Sequence, residues 1–163
     1  MKHIRHYFCT ALLGTAVLTA CSGAEKVKSN TPVQITMWNY YNGAQKEEMD
    51  RLVQEFNDTV GLKQKIVVES VSKGSVSELE DAVRDSTDGK TGSDPLPDFC
   101  SAYADAAYDL WKKDKISDFR PYLTDEEYGS YISGYLEEGN FGTNAAMMIF
   151  PVAKSTEVLT LNS

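Results

Sequence analysis

The chain has 163 residues with 24 acidic and 16 basic side chains, which give a formal net charge of −8. Both histidines, His3 and His6, and two basic residues, Lys2 and Arg5, fall in the first 20 positions, so the rest has 14 basic against 24 acidic residues, a net charge of −10, and no histidine. This balance disfavours nucleic acid as a partner, and it excludes histidine-dependent nucleophiles and histidine-ligated zinc from that part.

The first 21 residues, MKHIRHYFCTALLGTAVLTAC, have the layout of a secretory signal. A positive start precedes an apolar run that is too short for a spanning helix of about 20 residues. The last four letters resemble a bacterial lipobox, so we expect a signal peptide over 1–20, lipid attached at Cys21 and a polar tether over 21–32. The expected location is the outer face of a bacterial cell membrane, by lipid anchor. The alternative is an ordinary signal peptide with an incidental cysteine.

One cysteine is left for the folded part. Cys9 lies in the signal and Cys21 is expected to carry lipid, so Cys100 stands alone and no intramolecular disulfide is expected. Its apolar neighbours predict a buried and unreactive thiol.

The first half of the folded part alternates between strand and helix patterns. VQITMWN predicts a strand over 33–39, and a helix over 44–60 ends at Gly61. The strand KIVVESVS over 65–72 has a continuous apolar run, which indicates cover on both faces. Ser75 and Glu78 form a capping box that opens the next helix.

The second half continues the alternation. DFCSAY predicts a short strand and ADAAYDLWKKDK a short helix. A capping box at Thr124 and Glu127 opens a helix that ends at Gly139, and MMIFPVAKSTEVLTL is the last extended segment. The order β-α-β-α-β-α-α-β predicts an α/β fold with a mainly parallel sheet and flanking helices.

Candidate binding residues follow the predicted strands, where ligands collect in open α/β sheets. Aromatic rings beside amides and carboxylates suit a sugar, whose C–H face stacks while its hydroxyls bond. The alternative is that the aromatic residues belong to the core and the polar ones form turns. The three loops contribute Trp38, Tyr40, Tyr41 and Asn42, then Lys73, Gly74 and Ser75, then Ser101, Tyr103 and Asp105.

Catalysis finds little support in the motifs. No nucleophile elbow, phosphate-binding loop or HExxH sequence is present. The adjacent acids start predicted helices, where negative charge suits the helix dipole: Glu47, Glu48, Asp125, Glu126 and Glu127. We therefore expect no enzyme activity and no cofactor.

Four stretches in order resemble the start of an extracellular solute-binding protein of an ABC importer, in the group of maltose- and oligosaccharide-binding proteins. They are the lipobox, ITMWNYYNGAQKEEMDRLVQEFN, PDFCSAYADAAYDLWKKDKISDFRPYL and IFPVAKSTEVLTLN. The resemblance implies a periplasmic-binding-protein type II-like fold with two α/β lobes, a hinge of crossing strands, and a membrane permease that reads the closed form.

The same resemblance assigns ligand contacts. They fall on Tyr40, Tyr41 and Asn42 after the first strand, on Asp105 with Tyr103 nearby, and on Glu157 in the hinge strand. The site expectation therefore comprises Tyr40, Tyr41, Asn42, Ser75, Tyr103, Asp105 and Glu157.

Members of this family run to well over twice the present length. We therefore expect 33–163 to be an N-terminal lobe that is cut at the hinge strand, with the second lobe lacking. The expected function is a lipid-anchored receptor for an oligosaccharide, serving an ABC permease. The alternatives are a cell-surface glycoside-cleaving enzyme that uses Asp105 and Glu157, and a non-catalytic scaffold lipoprotein.

Overall fold

The computed structural model describes residues 31–142 and 146–153. Within these residues, three strands are formed: β1 (Val33–Asn39), β2 (Ile66–Ser72) and β3 (Phe99–Cys100). The α-helices are α1 (Gly43–Phe56), α2 (Leu62–Gln64), α3 (Val76–Thr87), α4 (Ala104–Lys112), α5 (Asp125–Gly129) and α6 (Ser133–Glu137). A π-helical turn spans Asn57–Gly61 and a 3-10 helix spans Arg120–Tyr122.

The three strands form one parallel sheet with the order β2-β1-β3. Val33 pairs with Ile66 and Asn39 with Ser72, while Trp38 pairs with Cys100. Each connection between neighbours contains a helix, as parallel strands require. The predicted mainly parallel α/β architecture is confirmed.

The first helix does not end at Gly61, which corrects the sequence prediction. The chain passes through the π-helical turn into α2, and the left-handed residue is Lys65 at φ 57°. Gly61 has a helical φ of −59°, so its lack of a side chain serves close packing. A Cβ on Gly61 would lie 2.5 Å from the carbonyl oxygen of Ile66.

The prediction that β2 is covered on both faces is wrong. Val67 is 39% exposed and Glu69 is exposed, whereas Ile66 and Val68 are half-buried. β2 lies at one edge of the described sheet. Its apolar run therefore reflects strand propensity as well as burial.

The predicted helix over 125–139 is two short helices. Its capping box at Thr124 and Glu127 is present, but α5 ends at Gly129 and α6 begins at Ser133. The Ser130 hydroxyl donates to the carbonyl of Glu127 at 2.7 Å, and serine bonded in this way weakens a helix. The last predicted strand is not found over 146–153, and its remainder, 154–161, lies outside the described residues.

The core lies between the sheet and the two helices α3 and α4. Its buried cluster consists of Trp38, Leu79, Val83 and Leu110. Ala107, at 1% exposed, continues the buried face of α4, while Tyr108 is 43% exposed. This packing anchors α3 and α4, whose first turns approach the carboxyl edge of the sheet. Among the described residues, no helix is long and apolar enough to cross a membrane.

Candidate functional site

The carboxyl ends of β1, β2 and β3 lie at one edge of the sheet because the strands are parallel. The segments that follow them are Tyr40–Asn42, Lys73–Ser75 and Ser101–Tyr103. Side chains that are about 25 to 65 positions apart in the sequence thus converge at this edge. We call this edge the carboxyl rim.

Three tyrosines form an aromatic surface on the carboxyl rim. The rings of Tyr40 and Tyr103 are nearly parallel, at 14°, with centroids 6.4 Å apart. The ring of Tyr41 is tilted by 57° to that of Tyr40 at 5.1 Å. Tyr103 is 51% exposed. The pKa of Tyr40 is raised, first by burial and then by a side-chain hydrogen bond with Tyr103. The structure therefore joins residues from two of the predicted loops.

Hydrogen bonds tie the loop after β1 to the loop after β2. The Asn42 amide donates to the carbonyl of Gly74 at 2.9 Å. The Ser72 hydroxyl donates to the carbonyl of Tyr41 at 2.6 Å and accepts from the amide of Gly74 at 3.2 Å. The three predicted residues Tyr40, Tyr41 and Asn42 thus sit on a main chain that is held in place from the neighbouring strand.

A buried asparagine fixes the start of the same loop. Asn39 is 2% exposed, and its side-chain oxygen accepts from the amide of Tyr41 at 3.0 Å. Its side-chain nitrogen donates to the hydroxyl of Ser70 at 2.9 Å. A buried amide with both ends bonded holds the backbone precisely. Asn39 was not among the predicted site residues, although an asparagine that ends an apolar strand is a recognisable signal.

Ser75 caps α3, as predicted, and its hydroxyl is engaged by Glu78. That hydroxyl accepts from the amide of Glu78 at 3.3 Å and donates to the carboxylate of the same residue at 2.7 Å. Gly74 next to it has φ of 95°, which only glycine adopts without strain. Ligand binding by Ser75 stays a prediction.

Asp105 lies in the first turn of α4. Its carboxylate accepts from the amide of Ala106 at 2.9 Å. It also lines a cleft of about 240 Å³ between α3 and α4, whose floor includes Leu79, Val83 and Leu110. Within the described residues, the structure places Asp105 on this cleft and gives it no hydrogen bond to the tyrosines. Its role in ligand binding stays a prediction.

Two predicted residues, Cys21 and Glu157, lie outside the described residues. The glycosidase alternative depends on the distance between Asp105 and Glu157, so that alternative stays a prediction as well. In the described part of the chain, no cluster of three or more histidine, cysteine or acidic side chains could hold a metal. Cys100 is a free thiol that is half-buried rather than buried as predicted, and this partial burial raises its pKa.

Lys73 was named among the candidate loop residues but not among the expected ligand contacts. Its ammonium lies 3.8 Å from the ring centroid of Trp38 and 2.9 Å from a carboxylate oxygen of Asp94. Its side chain is only 17% exposed. The sequence placed this lysine directly after β2, and only the fold showed that the charge is held against a buried indole.

Comparison with known proteins bears on the fold. No family model and no curated protein matches the chain. A solved structure of the Thermus thermophilus maltotriose-binding protein with maltotriose matches 70% of this chain, at 18% identity and a TM-score of 0.53. The structure of CpMnBP1 with mannotriose bound matches 67% of the chain, at 15% identity and a TM-score of 0.53.

The chain spans 28% and 26% of the lengths of these two proteins. At such low identity the likeness concerns the fold. The resemblance to solute-binding proteins that the sequence motifs indicated is confirmed at that level, on part of the chain. The described chain therefore has the α/β architecture of a periplasmic-binding-protein type II-like lobe, with a mainly parallel sheet and flanking helices.

Proposed function

We propose that the chain is the carbohydrate-binding component of an ABC importer, held at the outer face of a bacterial membrane by lipid on Cys21. The observation that carries the proposal is the tyrosine surface at the carboxyl rim, formed by Tyr40, Tyr41 and Tyr103. The two similar solved structures, which hold maltotriose and mannotriose, support an oligosaccharide as the ligand.

The chemistry of the rim fits a sugar. The apolar face of a pyranose stacks on an aromatic ring, and the exposed ring of Tyr103 offers such a face. Sugar hydroxyls need both donors and acceptors, which tyrosine hydroxyls and the side-chain oxygen of Asn42 supply. Asp105 and Glu157 would add charged acceptors, which make stronger hydrogen bonds to hydroxyls. Ligand contacts to the rim and to the hinge would favour a closed form that a permease recognises.

Binding is tested by titration calorimetry of the full chain against maltotriose and mannotriose. The chain is kept in a detergent without a sugar headgroup, because a maltoside would compete for the site. Tyr103→Ala should weaken binding about fivefold to tenfold, the range expected for an aromatic contact. Tyr122→Ala is the matched control, since Tyr122 is 81% exposed on the 3-10 helix. Equal affinities for the two variants, or no binding by the parent chain, would refute the proposal.

The lipid anchor is tested separately in bacterial cells. Mass spectrometry of the N-terminal peptide should find cleavage before Cys21 and acyl chains on that residue. Cys21→Ser should release the protein from the membrane fraction, because lipid rather than protein sequence holds it there. An unmodified Cys21 in a membrane-bound protein would contradict the anchor.

A further inference from the structure

Lys73 carries a positive charge that is held in place at the carboxyl rim. Its backbone amide donates to the carbonyl of Asn39 at 2.8 Å, which ties it to the end of β1. The next residue, Gly74, accepts the side-chain amide of Asn42. Lys73 therefore belongs to the same carboxyl rim as the predicted ligand residues.

The ammonium of Lys73 and the ring of Tyr40 lie on the same face of the sheet. Lys73 lies over the ring of Trp38, and Tyr40 is two residues further along the chain. Trp38 belongs to the buried core cluster, and Tyr40 packs against that cluster. Side chains two positions apart on an extended segment point to the same side. Lys73 and Tyr40 thus both pack at the Trp38 cluster.

The two side chains of the ion pair between Lys73 and Asp94 differ in their exposure to solvent. The lysine side chain is 17% exposed and is held by the indole, whereas the side chain of Asp94 is 69% exposed on the loop between α3 and β3. An ammonium has three donors, and in the described structure Asp94 accepts one of them. The cation is therefore held against the indole, whereas its carboxylate partner is open to solvent.

A neighbouring acid limits what can replace Asp94. The carboxylate of Glu78 lies against Gly74, the residue next to Lys73, where an added Cβ would come within 2.5 Å of it. Each negative charge on a ligand at this place would be repelled by Glu78. A ligand with one carboxylate meets the cation of Lys73 with the smallest such penalty.

We propose that Lys73 is a ligand-contacting residue that selects oligosaccharides bearing one carboxylate, and that Asp94 holds the position of the ligand's carboxylate until the ligand binds. This inference rests on the proposed function and narrows its substrate class to uronate-containing sugars. The indole of Trp38 keeps the cation in place by a cation–π contact that is strong because it is shielded from water.

The test compares maltotriose with the same trisaccharide oxidised at C6 of its terminal glucose to a glucuronate. Titration calorimetry measures both affinities for the full chain and three variants. Lys73→Met keeps an apolar stem on Trp38 and removes the charge, so it should weaken binding of the carboxylated sugar about tenfold to a hundredfold. Asp94→Asn removes the competing charge and should raise the affinity for the carboxylated sugar relative to maltotriose about twofold to fivefold. Lys90→Met, which breaks an exposed ion pair with Asp85, is the control and should leave this relative affinity unchanged.

The outcomes separate this inference from the proposed function. Suppose that maltotriose binds and that Tyr103→Ala weakens its binding. If the carboxylated sugar then has the same affinity for the parent chain and for Lys73→Met, selection by charge is overturned and the receptor role stands. If neither sugar binds, both are overturned. Asp94→Asn keeps the proposal falsifiable should Lys73→Met fail to fold. If the affinity for the carboxylated sugar relative to maltotriose is unchanged or lower in Asp94→Asn, the ligand's carboxylate does not replace that of Asp94.

Discussion

Within the described sheet β2 is an edge strand, and Asn57 acts there as a substitute strand partner whose removal should be costly. Its side-chain oxygen accepts from the amide of Val68 and its side-chain nitrogen donates to the carbonyl of the same residue, both at 2.8 Å. Each such bond contributes about 0.5–1.5 kcal/mol net. Asn57→Ala should therefore lower the free energy of unfolding by about 2 kcal/mol, which for a chain of this size shifts the midpoint by about 4–8 °C.

Thermal unfolding of the purified chain, followed by far-ultraviolet circular dichroism, measures this shift. Asn140→Ala is the matched control, because the side chain of Asn140 is exposed. Amide hydrogen exchange gives a second reading, since the amide of Val68 should exchange faster in Asn57→Ala than in the control. Equal midpoints and unchanged exchange at Val68 would refute the idea that Asn57 completes the edge of β2.

Three further predictions concern packing and ionisation. Gly139→Ala should lower stability by about 1–3 kcal/mol in urea unfolding, because a Cβ there would lie 2.9 Å from the backbone of the facing segment; Gly134→Ala, with open space around it, should be neutral or stabilising. Burial raises the pKa of the Cys100 thiol above its value in the unfolded chain. Its contribution to stability is therefore present below the thiol's pKa in the unfolded chain and is lost as pH rises through the thiol's pKa in the folded chain. Alkylation of Cys100 at pH 8 should be slow until denaturant is added. Hydrogen bonds from the backbone and the hydroxyl of Thr124 lower the pKa of the Glu127 carboxyl group, so its stabilising effect is lost as pH falls through its pKa in the folded chain. A carbon-13 titration measures this pKa. An ordinary pKa for Glu127, or the same pKa in Thr124→Ala, would contradict the capping box.

The parts of the fold that depend on neighbouring residues in sequence could be predicted. β1 was evident from its alternation, and the helix starts at Ser75 and Thr124 followed from capping residues. At Thr124 the capping box is complete, because the Glu127 carboxylate accepts from the backbone amide of Thr124. At Ser75 the Glu78 carboxylate accepts from the Ser75 hydroxyl instead. The convergence of the loops followed from parallel strands alone, without any knowledge of side-chain packing.

The features that depend on distant contacts could not be predicted. Gly61 was expected to stop a helix because glycine often does so, yet its role is set by the carbonyl of Ile66, which approaches it only in the fold. The π-helical turn places Asn57 opposite β2, eleven positions further along. The pair of Lys73 and Asp94 spans 21 positions, which no local pattern encodes.

The carboxyl rim is ordered before any ligand arrives, and this affects how binding energy is used. The main chain of Tyr41 is bonded on both sides, to the side chains of Asn39 and Ser72, so a ligand need not spend interaction energy to order that loop. The half-exposed ring of Tyr103 and the exposed carboxylate of Asp94 are held less firmly. Entropy loss on binding should therefore fall on these two side chains. For that reason they are the most informative positions to vary: changes there alter affinity directly, whereas changes at Asn39 would act through the folding of the rim.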